Sequence, residues 1–211
     1  MPKSSSGASA YDTVIQAIRD GRYKPGDRLV EEEVSEQLAM SRTPVREALR
    51  RLEAEQIIIH RPRQGAVVRA LDHSEVVELY EMRIFFERKA AELAAQHGTQ
   101  SEFDVLGDLN RAISAERKNS ARAAAINQDF HRLLYQAARN RFLIAAARAL
   151  NNSLLLLGPT TFTDEARVET VTAQHSAIIA ALHARDVAGA GAAAETHLKT
   201  SLRARLKGMT P

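Results

Sequence analysis

Residues 41–52 have the sequence Ser-Arg-Thr-Pro-Val-Arg-Glu-Ala-Leu-Arg-Arg-Leu, and this run predicts a short helix with two unlike faces. Its apolar residues recur at the spacing i, i+3, i+4 and i+7, which marks a buried stripe: Val45, Ala48, Leu49 and Leu52. Its arginines recur at every fourth position on the other side: Arg42, Arg46 and Arg50. Proline is tolerated only in the first turn of a helix, so the helix is expected to begin shortly before Pro44.

The two faces of this helix favour a role in reading DNA. An α-helix fits the major groove, where arginine pairs with guanine and with backbone phosphates. The alternative is an ordinary surface helix whose arginines are solvated. Residues 31–39 favour the first interpretation, because they predict another short helix, joined to 41–52 by a tight turn at Ala39-Met40-Ser41. Two helices joined in this way form a helix-turn-helix, whose second helix lies in the major groove.

A β-hairpin is predicted directly downstream. Residues 57–60 and 66–69 are rich in β-branched side chains, and the segment 61–65 between them contains the proline and glycine typical of a hairpin tip. A hairpin in this position is the wing of a winged helix, and the arginines at its tip are placed to reach the DNA backbone or minor groove. Residues 42–69 contain seven arginines and three glutamates, so positive charge is concentrated where DNA would lie.

Three runs in this part of the chain resemble the winged-helix domain of GntR-family bacterial transcription regulators: 25–29 (Pro-Gly-Asp-Arg-Leu), 41–49, and 64–68 (Gln-Gly-Ala-Val-Val). The chain departs from the family at Gln56, where the family usually has glycine before the wing. The resemblance implies that residues 10–70 form a domain that binds double-stranded operator DNA. The residues expected to contact DNA are Arg28, Ser41, Arg42, Thr43, Arg46, Arg50, Arg63 and Gly65.

The composition narrows the class of protein. The chain has 211 residues and no cysteine, so disulfides and thiolate metal sites are excluded. No apolar run approaches the ~18 residues needed to cross a membrane. The Ser- and Ala-rich residues 1–9 predict a disordered tail without the apolar core of a signal peptide, so we expect a cytoplasmic protein. The net charge is only +3, and the argument for nucleic-acid binding therefore rests on the local arginine cluster.

The composition changes after the hairpin. Residues 71–211 are rich in Ala, Leu, Glu and Arg and poor in β-branched runs, which predicts an all-α antiparallel helical bundle. Helix-breaking residues divide this half into six predicted helices, expected at 72–97, 101–118, 120–138, 141–157, 164–184 and 187–206. The predicted fold class is mainly α, with an N-terminal winged helix-turn-helix and a C-terminal helical bundle.

Three histidines of the bundle are candidate metal ligands: His131, His175 and His197. They fall on three different predicted helices, and neutral imidazoles from antiparallel helices can converge on a divalent ion in a bundle core. The alternative is that each is an ordinary surface or hydrogen-bonded core histidine. Spacing alone is compatible with both.

Arg83 lies on a mostly apolar stripe of the first helix in this half. An arginine in such a position needs an anionic partner. One possible partner is Glu87, four residues later on the same helix. The other is the carboxylate of a bound ligand, and the residues alone favour neither.

Six helices behind such a winged helix resemble the FCD effector-binding domain of the FadR subfamily, and the number of helices resembles its VanR-like subgroup. Many FCD domains bind a metal through an Asp-x-x-x-His pair and two later histidines. His131, His175 and His197 match these histidines, whereas Asn127 stands at the position of the aspartate and offers a carbonyl oxygen without charge. The resemblance thus implies a divalent metal, and zinc or nickel suits imidazole ligands best.

The same resemblance implies an effector cavity beside the metal. The run Tyr80-Glu81-Met82-Arg83 resembles the family motif whose arginine lines that cavity. The expected effector is a small carboxylate. The candidate effector-binding residues are Arg83, Tyr80, Arg148 and Asn152.

Two functions are compatible with these features. The first is a homodimeric, ligand-responsive transcription regulator, a repressor rather than an enzyme, which a small organic acid releases from an inverted-repeat operator. A small rotation of the two DNA-binding domains would be enough to lower the affinity for the operator, because both domains must contact their half-sites at the same time. The alternative is a metal-dependent, hydrolase-like enzyme whose histidines activate water, with an incidental winged helix. No carboxylate near the histidines in sequence matches the general base that such an enzyme needs, so the regulator is preferred.

Overall fold

The computed structural model describes residues 6–158 and 160–209, and these form two compact units. One unit contains the described residues up to Asp72 together with 151–158. The other contains 73–150 and 160–209. Within these described ranges, no helix is both long and apolar enough to cross a membrane.

The first unit is a winged helix, as predicted. Its elements are α1 (Ser6–Arg19), β1 (Arg28–Leu29), α2 (Glu31–Gln37), α3 (Arg42–Ala54), β2 (Ile58–Arg61) and β3 (Gly65–Val68). The strands form an antiparallel sheet in the order β1-β3-β2, with β2 and β3 as the predicted hairpin. The sequence does not reveal β1, because two residues are too few to show the alternation of a strand.

The start of α1 corrects the predicted tail. Disorder was expected over 1–9, whereas the helix begins at Ser6, and residues 1–5 lie outside the described part. Ala8 and Ala10 have the highest intrinsic helix propensity and no proline interrupts them. The helix therefore extends further towards the N-terminus than its apolar pattern indicates.

The apolar stripe of α3 anchors the helix in the core of this unit. Its four predicted inward residues are all buried: Val45, Ala48, Leu49 and Leu52. They pack with Val14 and Ile18 of α1, and Leu156 belongs to the same core. Burying the stripe leaves the arginine face of α3 on the outside.

Gln56 adopts a left-handed backbone conformation, with a φ of 57°. This is the position at which GntR-family winged helices usually have glycine. A left-handed conformation costs a residue with a Cβ roughly 1–2 kcal/mol, and glycine avoids this cost. About half of the benefit is offset, because glycine loses more conformational entropy on folding. We expect Gln56→Gly to raise the free energy of unfolding by about 0.5–1 kcal/mol, measured by urea titration.

A matched control for this substitution is Gln64→Gly. Gln64 is also exposed, but it is not among the residues with positive φ. Glycine should therefore lower stability slightly at 64 while raising it at 56. Equal destabilisation by the two substitutions would contradict this explanation of Gln56.

The second unit is helical. Its elements are α4 (His73–His97), α5 (Gln100–Ala115), α6 (Ser120–Ala137), α7 (Arg141–Ser153), α8 (Glu165–His183) and α9 (Val187–Lys207). The last residues of α7 and the 3₁₀ turn Leu154–Leu157 belong to the first unit. The six predicted helices are confirmed, with α7 and the 3₁₀ turn together covering the predicted 141–157. Polar caps explain the breaks, since Asn119, Asp164 and Asp186 each accept a backbone N–H of the following helix.

Small residues bring α4 and α9 close together. Ala91 and Ala94 of α4 and Ala190 and Ala194 of α9 are fully buried in one core. A Cβ added at Gly191 would come within 2.8 Å of Glu92 Cγ on α4. Larger side chains would separate the two helices, and with them the polar residues that each contributes to the interior.

Candidate functional site

The outward face of α3 carries exposed arginines that carboxylates of α2 hold in place. Arg46 donates from Nε and Nη2 to the Glu31 carboxylate at 2.9–3.0 Å, and Arg42 forms an ion pair with Glu32. The hydrogen bond from Arg46 holds the pKa of Glu31 below its usual value. Arg50, one turn further along, is also exposed. A surface pair of this kind contributes little stability, so guanine or phosphate can replace the carboxylates at low cost.

The other residues expected to contact DNA lie in the same unit. Ser41 is the N-cap position of α3, but its side chain makes no capping hydrogen bond. Thr43 and Arg28 are exposed. At the tip of the wing, Arg63 and Gly65 have φ angles of 65° and 76°, so a sharp turn presents the Arg63 side chain to solvent. Contact of these residues with DNA remains a prediction.

Three histidines converge inside the second unit. His131 of α6, His175 of α8 and His197 of α9 each offer a ring nitrogen, and these atoms lie within 4.8 Å of one another. His175 and His197 are only 0% and 2% exposed. His131 is half-buried. The structure therefore brings the three residues together in one cluster with two fully buried members, which we call the histidine cluster.

Burial keeps His175 and His197 of this cluster neutral. It lowers the pKa of His175 well below the usual value, and it lowers the pKa of His197 to about 3. The neighbouring imidazoles act in the same direction. Neutral imidazole is the form that coordinates a metal.

A chain of hydrogen bonds fixes the tautomer of His197. Thr200 donates its hydroxyl to the Thr196 carbonyl at 3.0 Å, so its oxygen accepts from Gln174 Nε2 at 3.0 Å. The Gln174 Oε1 atom then lies 3.1 Å from His197 Nδ1 and must accept from it. The proton of His197 is thereby held on Nδ1, and Nε2 keeps the lone pair that a metal requires.

A buried carboxylate plays the equivalent part for His131. Glu87 of α4 is 2% exposed and its Oε1 contacts His131 Nδ1. Although burial favours the neutral acid, His131 and, more weakly, Arg83 hold the pKa of Glu87 below its usual value. From the sequence, Glu87 is indicated only as a possible partner for Arg83. Glu87 thus brings to the histidine cluster a carboxylate that Asn127 cannot supply.

Asn127 lies one turn before His131 on α6. Its Oδ1 atom is buried and, among the groups that the structure describes, has no hydrogen-bond partner. His175 has both ring nitrogens in the same state. Buried polar atoms are normally satisfied, so these orphaned atoms fit a site that takes up a cation or a polar ligand.

Arg83 and Tyr80 flank the histidine cluster on α4. The Arg83 guanidinium lies over the Tyr80 ring, 4.6 Å from its centroid, and Tyr80 is buried. Arg83 lowers the pKa of both Glu87 and His197, which places it near the histidine cluster. Arg83 can therefore still pair with either of the two partners considered above, Glu87 or the carboxylate of a bound ligand.

Arg167 is a polar residue of this region that is not among the residues predicted from the sequence. It lies in the first turn of α8 and donates from Nη2 to Ser201 Oγ at 3.0 Å. It lowers the pKa of His175 and of His197. The available signal was its spacing, since 167, 171 and 175 recur every fourth residue and therefore share one helical face.

Two predicted effector-binding residues do not reach the histidine cluster. Asn152 belongs to the first unit, where its amide lies 3.4 Å from Glu55, so its assignment to the effector cavity is corrected. The cause is the turn after α7, whose Leu155 and Leu156 pack into the core of the winged helix. Arg148 has an exposed side chain on α7 and is not part of the buried group.

Comparison with known families gives two matches that together cover most of the chain. Residues 7–68 match the family described as bacterial regulatory proteins, gntR family. Residues 78–200 match the FCD domain family. The second match alone covers more than half of the chain.

Individual relatives agree with these matches. The chain is 28% identical to the HTH-type transcriptional regulator YdhC of Bacillus subtilis (strain 168), over 80% of this chain and 76% of that protein. It is 29% identical to a probable D-xylose utilization operon transcriptional repressor of Paenarthrobacter nicotinovorans, over 88% and 82%. Among solved structures, E. coli McbR/YncC superposes with a TM-score of 0.84 at 21% identity, over 98% of this chain and 100% of the other.

Proposed function

We propose that this chain, which belongs to the gntR family of bacterial regulatory proteins and carries an FCD domain, is a repressor. In this proposal a small organic acid lowers its affinity for operator DNA. The observation that carries this proposal is the pairing, in one chain, of an exposed arginine helix with a buried cluster of unsatisfied polar groups. Residues 10–70 are the DNA-binding domain of this proposal, and 71–211 are the effector-binding domain. A relative that is named as a probable repressor supports repression, and not activation, of transcription.

The proposal places a divalent metal at the histidine cluster. His131, His175 and His197 would hold it, together with the carbonyl oxygen of Asn127. Zinc or nickel suits three imidazoles. Bound there, the ion would supply a Lewis-acid site for a carboxylate. Glu87 and Gln174 orient two of the imidazoles, and the charge of Glu87 compensates for the neutral Asn127.

Arg83 is the residue of α4 that would bind the effector carboxylate together with the metal. Its guanidinium is stacked on Tyr80 and is therefore held in one orientation. Arginine binds carboxylates through paired hydrogen bonds of good geometry. Tyr80 would act by positioning Arg83.

The same geometry favours binding over catalysis. A hydrolase would need a carboxylate free to act as a general base on a metal-bound water. Glu87 is the buried carboxylate beside the histidine cluster, and its Oε1 contacts His131. In our proposal Glu87 thus orients a ligand, and the chain acts in the cytoplasm as a regulator rather than as an enzyme.

The DNA part of the proposal is tested by selecting duplexes from a random library with the purified protein. We expect the selected sites to contain an inverted repeat, because a single winged helix contacts too little DNA for specific affinity. Addition of small organic acids, tested one at a time, should then release the selected DNA. Selection of no common sequence would contradict the proposed function.

A homodimer is part of the proposal, and exposed apolar side chains of the second unit support it. Met82 and Phe85 of α4 are 46% and 64% exposed, and Phe142 of α7 is 80% exposed. We expect Phe85→Glu to shift sedimentation at micromolar concentration from dimer to monomer and to weaken operator binding. Val105→Glu, at a 47% exposed position on α5, is the control that should leave both unchanged. A wild type that sediments as a monomer with and without DNA would contradict the dimer.

A further inference from the structure

Arg167 is a half-buried cation whose hydrogen bonds are incomplete. Its Nε and Nη1 groups are buried and, within the described ranges, have no hydrogen-bond partner. Only Nη2 is paired, with Ser201 Oγ. Burying two N–H groups of a guanidinium without partners is unfavourable. Buried polar groups are normally satisfied, so these two groups suit the oxygens of an anion.

Neighbouring carboxylates do not supply that anion. Asp164 caps α8, and its oxygens accept the backbone N–H of Arg167 at 2.8 Å and the Thr163 hydroxyl at 2.9 Å. Glu87 contacts His131 instead. Burial lowers the pKa of Arg167, and Tyr80 and Asp164 only partly oppose this effect. In the part of the chain that the structure describes, no ion pair of Arg167 is found.

Arg167 borders the same group of residues as Arg83. It lies two turns before His175 on α8 and acts on the pKa of both buried histidines. Tyr80 connects the two arginines, because Arg83 covers its ring and because Tyr80 acts on the pKa of Arg167. The histidine cluster is thus bordered by two guanidinium groups, with Glu87 as the buried carboxylate among them.

We infer that Arg167, together with Ser201, binds a second acidic group of the effector, and that the effector is therefore an acid with at least two carboxylates. This inference rests on the proposed function, in which the first carboxylate is shared by the metal and Arg83. A monocarboxylate held in that way would leave Arg167 unpaired. Two arginines and a divalent ion also carry more positive charge than Glu87 and a monoanion can balance.

The first test needs no knowledge of the effector. Arg167→Met keeps much of the side-chain length and removes the charge with its unpaired N–H groups. After refolding from denaturant to remove bound acids, the metal-loaded variant should melt at a higher temperature than the wild type, because two buried N–H groups without partners have been removed. Arg148→Met, at an exposed arginine of α7, should leave the melting temperature unchanged. A lower melting temperature for Arg167→Met would show a structural role and overturn the inference.

The second test compares acids at equal ionic strength. Malonate, succinate and citrate should raise the melting temperature of the wild type, whereas acetate and lactate should have little effect. Arg167→Met should weaken binding of the effective polycarboxylate about ten- to hundredfold, the usual effect of losing hydrogen bonds to a charged group. Ser201→Ala should weaken it less.

The outcomes separate this inference from the proposed function. A wild type that holds metal and responds equally to acetate or lactate would overturn the inference and leave the proposed function standing. Polycarboxylate binding that is unchanged in Arg167→Met would also overturn it. A wild type that holds no metal and responds to none of these acids would overturn both.

Discussion

Replacing His175 with alanine should remove the bound metal and lower the stability of the protein by about 3–4 kcal/mol, the effect expected for losing an ion present at several hundred to a thousand times its dissociation constant. His175 is fully buried and its ring stacks on Phe130 at 3.8 Å between centroids. In our proposal the metal joins α6, α8 and α9, so its loss removes a cross-link between three helices. The variant should also lose its response to the effector while its winged helix still binds DNA. Metal analysis, thermal melting and operator titration measure the three effects.

Chelation separates loss of metal from loss of packing. The wild type should lose stability in EDTA and regain it with zinc, whereas His175→Ala should respond to neither. His175→Gln, which leaves less of a cavity, is the second variant if the alanine variant does not fold. His97→Ala, at an exposed histidine of α4, should behave like the wild type. A His175 variant that retains both metal and effector response would rule out the site.

Replacing Arg46 with alanine should weaken binding to the selected operator by about 1–3 kcal/mol, which is roughly five- to 150-fold in affinity. Arg46 lies in the middle of the exposed face of α3, where an arginine can reach a guanine edge. Binding to unrelated DNA should fall much less, because phosphate contacts are shared among several arginines. Fluorescence anisotropy with both DNAs at one salt concentration measures the difference.

Two variants serve as controls for Arg46. Glu31→Gln removes the carboxylate that pairs with Arg46 in the free protein and leaves the arginine intact, so operator affinity should be kept or rise slightly. Arg63→Ala in the wing should weaken binding to all sequences about equally. Unchanged operator affinity in Arg46→Ala would show that α3 does not read the DNA.

Local sequence patterns predict most of the fold because apolar spacing and capping residues act within a few residues of their position in the chain. The apolar stripe of α3 is buried as expected, and the breaks between the later helices fall at residues whose side chains cap the next helix, such as Asn119 and Asp186. The left-handed turn at Gln56 has no such signal, because its sequence contains no glycine. The convergence of the three histidines could be anticipated as one of two possibilities, since antiparallel helices bring distant residues to one level of a bundle.

The polar residues around the histidines could not be predicted in the same way. Glu87, Gln174 and Arg167 acquire their roles from partners on other helices, and their spacing along the chain carries little information about those partners. Asn152 shows the converse error. It lies on the predicted helix, but the turn that follows packs with the winged helix, so its neighbours are not those of the histidine cluster.

Native mass spectrometry of the purified protein tests most directly whether the second unit holds a metal and an acid. We predict a dimer that carries one divalent ion per chain, with an organic acid of at least two carboxylates retained in the wild type and both lost in His175→Ala. A wild-type chain that carries neither ion nor acid, or a His175→Ala chain that retains the ion, would contradict it.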